Sequence, residues 1–225
     1  MNHFLRGAAR AAIESFRLPD PVLEIGSYQV EGQEELVNLR GLFPDRPYTG
    51  VDFRPGPGVD LVANVENLPL PDASVGTVLA FSVFEHVKHF WKGFAEVRRV
   101  LRPDGVFLVC CPFYFHVHDY PHDYWRFTPE GFDALLEDYP TRVLGWHGPE
   151  RRPLNVWAAA FREEAAAPTP EQFAAYRAKL SEYAKEPREW VRELRYRLGR
   201  VLCGRRPFAP HLDRDRWAVE VRKAG

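Results

Sequence analysis

Between residues 21 and 112, short apolar runs alternate with longer stretches of helical periodicity, which restricts the chain to a largely parallel sheet covered by helices on both faces. Pro21–Ser27 (PVLEIGS) reads as a buried strand running into a glycine turn, and Gly32–Leu42 as the helix after it. Tyr48–Phe53 and Val59–Asn64 follow as second and third strands, and Val75–Phe84, rich in β-branched and aromatic residues, as the fourth. Glu85–Leu101 carries Val87, Phe90, Trp91, Phe94, Val97, Val100 and Leu101 at helical spacing. Arg102-Pro103-Asp104-Gly105 should stop that helix, and Val106–Cys111 supplies the fifth strand. Such crossovers are right-handed.

The pattern changes beyond residue 112. Thr128 as N-cap with Pro129 at the first helical position starts a short helix reaching Tyr139. Arg142–His147 and Asn155–Arg162 read as two strands separated by a Gly148-Pro149 turn, and Glu164–Pro170 as a linker. Thr169 with Gln172 three residues later opens a helix whose Phe173, Tyr176, Leu180 and Tyr183 share a face. Pro187 breaks it, and a second helix continues to about Leu202. At the start of the chain, Phe4, Leu5, Ala8, Ala12, Ile13 and Phe16 share one face, the mark of a docked helix rather than a cleavable leader. Two units are therefore expected: residues 1–167, an α/β domain with an N-terminal helix, and residues 168–225, a C-terminal helical extension.

Composition excludes several classes. Thirty basic and 31 acidic residues give a net charge of −1, against wholesale nucleic-acid binding. Three cysteines (Cys110, Cys111 and Cys203) make neither a disulfide framework nor a CxxC metal pair, so a reducing, cytoplasmic setting is expected. The longest nearly apolar run, Val75–Phe84, is about half of what a membrane-spanning helix needs, so no integral membrane segment is expected. Charge is concentrated near the end: Lys185–Arg206 holds eight basic and three acidic residues, a net of +5. With Trp190, Leu194, Leu198 and Val201 on one face, that helix either packs on its own domain or a twin subunit, making a homodimer, or touches an anionic membrane or acceptor.

The turn Glu24-Ile25-Gly26-Ser27, the helix expected after Gly32 and Asp52 at the end of the next strand together suit a nucleoside. A glycine admits close backbone approach, helix-terminal N–H groups donate, and the carboxylate can accept both ribose hydroxyls. Tyr28, Gln29 and Val30 occupy the turn where a pyrophosphate-binding GxGxxG loop would need glycine, which disfavours NAD. No Tyr-xxx-Lys pair accompanies it, so a nicotinamide oxidoreductase is the weaker alternative.

The runs LEIGS, GVD followed by PGPGVD, NVENLPLPDASVGTVLAFSVFEHV and EVRRVLRPDGVFLV resemble class I S-adenosylmethionine-dependent methyltransferases. The segment from Pro112 to Pro129, PFYFHVHDYPHDYWRFTP, is similar to type 11-like enzymes of glycan and secondary-metabolite clusters. The resemblance covers about residues 20–160. It implies a Rossmann-like, doubly wound seven-stranded sheet whose last strand is antiparallel, with S-adenosylmethionine as cofactor. By position it implies that Glu24 and Gly26 contact the methionine part, that Asp52 binds the ribose and that Asn64 and Val65 flank the adenine, with Ser27 and Gly32 as further cofactor-binding residues. Phe81 and Ser82 end the fourth strand beside the methionine amino group.

Seven of the chain's 31 aromatic residues and three of its eight histidines lie between Phe113 and Phe127, directly after a strand end. Aromatic faces stack on sugars or surround a cation, and neutral histidine is a fitting base for a hydroxyl proton. His118 matches the histidine of the related segment, and Asp123 is placed to orient it. His116, Tyr120, Tyr124, Trp125 and Arg126 are the candidate acceptor-binding residues. Alternation along an extended segment should turn His116 away from His118. The expected activity is O-methylation of a hydroxyl on a sugar or glycosylated metabolite, with His118 as base and no metal. Two alternatives stay open: a metal-assisted O-methyltransferase using His116, His118, His122 and Asp123, or a non-catalytic cofactor-binding module. An aromatic segment of this kind can also be a plain hydrophobic lid.

Overall fold

The computed structural model describes residues 1–118, 122–185, 190–202 and 216–224, with backbone alone at 192, 196 and 200. One eight-stranded sheet organises them, in the order β3-β2-β1-β4-β5-β7-β6-β8. Its strands are β1 (Val22–Ile25), β2 (Tyr48–Asp52), β3 (Leu61–Val62), β4 (Val75–Phe81), β5 (Leu101–Pro112), β6 (Thr141–His147), β7 (Asn155–Phe161) and β8 (Trp217–Lys223). The first five are mutually parallel, β7 runs antiparallel between β5 and β6, and β8 pairs antiparallel with β6.

The chain thus forms the expected α/β Rossmann-like, doubly wound sheet, with one strand more than expected. Residues 217–223 do not extend a helical tail; they return to the sheet, with Thr141 opposite Lys223 and His147 opposite Trp217. Their sequence carries the signal: Trp217, Val219 and Val221 alternate with Ala218, Glu220 and Arg222.

Alternation also sorts the core into two layers. On one face Val106, Leu108 and Cys110 of β5 and Trp157, Ala159 and Phe161 of β7 pack with α1 (His3–Ser15) and α5 (Pro170–Tyr183). On the other, Phe107, Val109 and Cys111 pack with α3 (Phe90–Val100) and α4 (Pro129–Leu135). The adjacent cysteines therefore point to opposite sides of the sheet, as the period of two requires. Helix α1 docks as its apolar face suggests, with Phe4, Leu5, Ala8 and Ala12 buried. At Gly7 it comes so close to α5 that a Cβ would stand 2.2 Å from the Tyr183 carbonyl oxygen. Caps fall where the sequence puts them: the Thr128 hydroxyl accepts from Gly131 N–H, and Thr169 and Gln172 form a reciprocal box.

Three expected helices are shorter than the sequence suggests: the one expected to reach Tyr139 ends as α4 at Leu135. Gly32–Leu42 contains only α2 (Glu34–Val37) and a 3-10 turn, Arg40–Leu42. Glu85 and His86 lie in a separate 3-10 turn, Phe84–His86, ahead of α3. Leu101 already belongs to β5, because it pairs with Val75; Arg102–Gly105 then interrupts the ladder before Val106 pairs with Thr77.

Candidate active site

A cavity of about 640 Å³ opens beyond the carboxyl ends of β1, β2 and β4, where doubly wound sheets bind ligands. Two halves of different construction enclose it.

The first half stands on strand ends. Glu24, the penultimate residue of β1, is buried, and the Tyr48 hydroxyl donates to its Oε2 at 2.7 Å. Burial pushes the Glu24 carboxyl up to about 7, with the Tyr48 hydrogen bond opposing the rise. Gly26 follows in the left-handed region (φ +76°), and a Cβ there would lie 2.4 Å from Val83 Cγ2. Glycine is thus required twice, for conformation and for the approach of the turn after β4. Asp52 ends β2 with its side chain buried. Its Oδ1 accepts from Arg54 N–H at 3.1 Å, and the Arg54 guanidinium lies 4.3 Å over the Tyr28 ring. Asn64, Val65, Phe81 and Ser82 also line the cavity; Ser82 holds an unusual positive φ of +58°. Such backbone strain in a non-glycine residue concentrates at functional sites.

Two expected members of this half are not in it. Ser27 is buried behind the cavity against Gly50, and its hydroxyl has no hydrogen-bond partner. Gly32 is exposed and does not line the cavity, because the helix it was to open is a single turn. What the sequence did not suggest is the part played by α1. Met1 lines the cavity, and the Arg6 guanidinium donates to the Leu36 and Asn38 carbonyls, holding the α2 segment over it.

The second half is made of two loops fastened to each other. Residues after β5 fold back onto the turn after β4: Tyr124 and Trp125 N–H donate to the Glu85 carbonyl at 2.7 and 3.2 Å. The Trp125 indole donates to the Val87 carbonyl at 3.1 Å. Asp123 anchors this loop. Its side chain is 1% exposed and accepts from Arg126 on both oxygens. Its Oδ2 also receives the backbone N–H of His118 and lies 3.0 Å from that ring's Nδ1. The Arg126 guanidinium holds the Asp123 carboxyl well below the usual carboxylate range. A carboxylate only accepts, so Nδ1 of His118 carries a proton; in a neutral ring the lone pair is then on Nε2.

The structure thus brings Asp123 to His118 as expected, and His116, His118 and Tyr124 to the cavity wall. It does not put Trp125 or Arg126 there: the first is spent on the turn after β4 and the second on Asp123. Tyr120 lies outside the described residues. His116 is not turned away from His118; both line the cavity, with ring centroids 6.1 Å apart. Strand pairing ends at Pro112, so pleated alternation has no ladder to enforce it beyond that point.

Glu85 and His86 complete this half. Glu85 is fully buried and neither carboxylate oxygen has a well-formed hydrogen bond, the Cys111 thiol beside it being a weak donor. Burial pushes its carboxyl up to about 7. His86 Nε2 is 3.9 Å from Glu85 Oε1, its Nδ1 is 2.6 Å from the His122 carbonyl, and its ring meets that of His118 edge-on at 4.8 Å. Among the described residues, Glu85, His86 and His118 form the group that could hold a metal ion, their donor atoms lying within 4.8 Å of one another. The set His116, His118, His122 and Asp123 is not so gathered, since Asp123 is committed to Arg126 and His118. The sequence reads Glu85-His86 as opening the helix after the fourth strand and facing this crevice, with the carboxylate as a dipole partner. The structure instead puts both in a separate 3-10 turn, with His86 on the cavity wall and Glu85 buried beside it.

Comparisons with known proteins follow the same lines. Residues 28–109 match the family described as "Methyltransferase domain". A Mycolicibacterium smegmatis protein named "Probable S-adenosylmethionine-dependent methyltransferase" is 48% identical over 97 residues, 43% of this chain and 31% of its own length. A Mycobacterium tuberculosis protein of the same description is 32% identical over 141 residues, 50% of this chain and 47% of its own. The chain therefore spans a third to a half of the curated relatives it matches. Among solved structures, Burkholderia thailandensis 1,6-didemethyltoxoflavin-N1-methyltransferase, bound to 1,6-didemethyltoxoflavin and S-adenosylhomocysteine, superposes with a TM-score of 0.52 at 19% identity, covering 70% of this chain and 80% of that one. A chain from the Haloferax volcanii complex of the Trm112 activator with a methyltransferase gives 0.51 at 15% identity, covering 72% and 91%. At these identities the two structures share the fold.

Proposed function

We propose that the chain is a class I S-adenosylmethionine-dependent methyltransferase that methylates a hydroxyl group on a sugar or glycosylated metabolite, with His118 as general base. The cavity suits the cofactor: its volume lies within the range of small-molecule sites, and carboxylates stand at the ends of β1 and β2. Asp52 would take the ribose, Glu24 and Gly26 the methionine portion, and Asn64 and Val65 the adenine. S-adenosylmethionine, when bound, supplies an electrophilic methyl group on a sulfonium.

The observation that carries the assignment of the base is the Asp123–His118 pair. Asp123 stays ionised against Arg126, holds the imidazole proton on Nδ1 and leaves Nε2 to accept the hydroxyl proton. The imidazolium so formed is stabilised by the same carboxylate. Phe115 and Tyr124, both exposed at the cavity wall, offer flat faces to a sugar ring. A panel of rhamnosides, mannosides and glycosylated metabolites supplies the acceptor. His118→Ala then lowers turnover by about 10²–10⁴-fold with cofactor affinity nearly unchanged. Full turnover in that variant rules the base out. Binding of S-adenosylmethionine without turnover on any acceptor makes the protein a non-catalytic cofactor-binding module, and failure to bind it refutes the cofactor assignment.

One further observation favours metal assistance as the alternative. Glu85 is a buried carboxylate without a well-formed hydrogen bond, grouped with two imidazoles. Both histidines direct Nδ1 to an oxygen acceptor, His118 to Asp123 and His86 to the His122 carbonyl, an arrangement common around metal-ligating histidines. A divalent ion there would lower the pKa of the hydroxyl and take His118 as a ligand instead of a base. Chelation separates the two: it abolishes turnover if the ion acts and leaves it intact if His118 is the base. Likewise His86→Ala is as damaging as His118→Ala only in the metal case.

A further inference from the structure

Helix α6 (Trp190–Leu202) has an apolar face that no described residue of the chain covers. Trp190 is 72% exposed, Val201 79% and Leu202 83%, while Val191, Leu194 and Leu198 are each at least half exposed. At about 100° per residue these six side chains fall within an arc of about 120°. Arg195 and Arg197, both exposed, stand just outside its two edges. Arg192 and Arg200 add further charge, against the single acid Glu193, which is paired with Arg197. Large apolar residues packed on the domain would be buried, as those of α1 are.

We propose that α6 is an amphipathic helix that lies on an anionic lipid surface, with Trp190, Leu194, Leu198 and Val201 sunk into the headgroup boundary. Charge decides the occupant. Arginines at the edges of an apolar arc can run their stems along it and hold their guanidinium groups level with lipid phosphates. A second copy seated face to face would bring Arg195 and Arg197 against their own counterparts, whereas anionic headgroups attract them. Thirteen residues are too few to cross a bilayer, which takes about 20, and no described helix is long and apolar enough to do so.

The test is sedimentation of the full chain with vesicles of phosphatidylcholine alone or mixed with phosphatidylglycerol. Partition should be at least about tenfold stronger on the anionic vesicles and should weaken with added salt. Leu194→Glu with Leu198→Glu should abolish it, and Arg195→Glu with Arg197→Glu should remove the preference for anionic lipid. Both double variants should keep the melting temperature and S-adenosylmethionine affinity of the parent. Negligible partition, or equal partition on both vesicle types, overturns the proposal. So does a wild-type dimer that ignores vesicles and becomes monomeric on Leu194→Glu with Leu198→Glu, which would assign the face to a second copy.

Discussion

The two halves of the cavity hold buried glutamates in opposite circumstances. Glu24 sits at a strand end with a tyrosine hydroxyl on its carboxylate; Glu85 sits in a turn between elements with no well-formed hydrogen bond. The contrast extends to their neighbours. Residues 24, 26 and 52 inherit their positions from the pairing of β1 with β2 and β4, so a few backbone ladders position them. His86, His116 and His118 belong to loops that hold shape through side-chain and main-chain bonds to each other, with Asp123–Arg126 as the fastening.

The sharpest way to break this comparison is to loosen the fastening. Asp123→Asn removes the carboxylate that sets the His118 tautomer, so turnover should fall by about 10²–10³-fold with cofactor affinity within a few-fold of the parent. Isothermal titration with S-adenosylhomocysteine beside acceptor kinetics measures both; an equal loss in the two would mean that the halves are one cooperative unit. Next in size, Asp52→Ala should weaken cofactor binding by about 1.5–3 kcal/mol through loss of a charge-assisted bond. Turnover at saturating cofactor should change little. Tight NAD binding in the same calorimeter would refute the cofactor assignment.

The smallest effect concerns pH. The folded-state pKa of Glu24 is raised from 4.5 to about 7, so the folded protein holds a proton that the unfolded chain has released. Its contribution to stability is therefore full below about 4.5 and is lost as pH rises through about 7. Glu24→Gln should flatten the decline in melting temperature between those values, seen by calorimetry of the cofactor-free protein. An unchanged slope would mean that Glu24 is better solvated than its burial implies.

The strand-end half of the cavity could be read from the chain because its signals are local. A carboxylate two residues before a glycine bend, and another at the end of the next strand, keep their spacing whatever the loops do. The Thr128 and Thr169 caps are equally local, because each cap and its partner are three residues apart. The overestimate of the Gly32–Leu42 helix has the opposite origin. Periodicity records an amphipathic preference, and the chain there is held by Arg6, a residue 30 positions from Leu36.

By itself, the sequence determined the alternation of strands and helices, the two-layered core and a nucleoside-type turn, since each follows from periodicity or from residues a few positions apart. The cofactor itself came from the resemblance of several motifs to a known family. Only the tertiary structure decided that β8 returns to the sheet, that Glu85 and His86 meet His118, and that His116 faces the same cavity as His118. It alone also left the face of α6 uncovered by the described residues. In each case the deciding contact joins residues far apart in the chain, 32 positions for His86 and His118 and 82 for Thr141 and Lys223. Such a contact is selected by the closing of the whole fold, and no short window of sequence carries its energy.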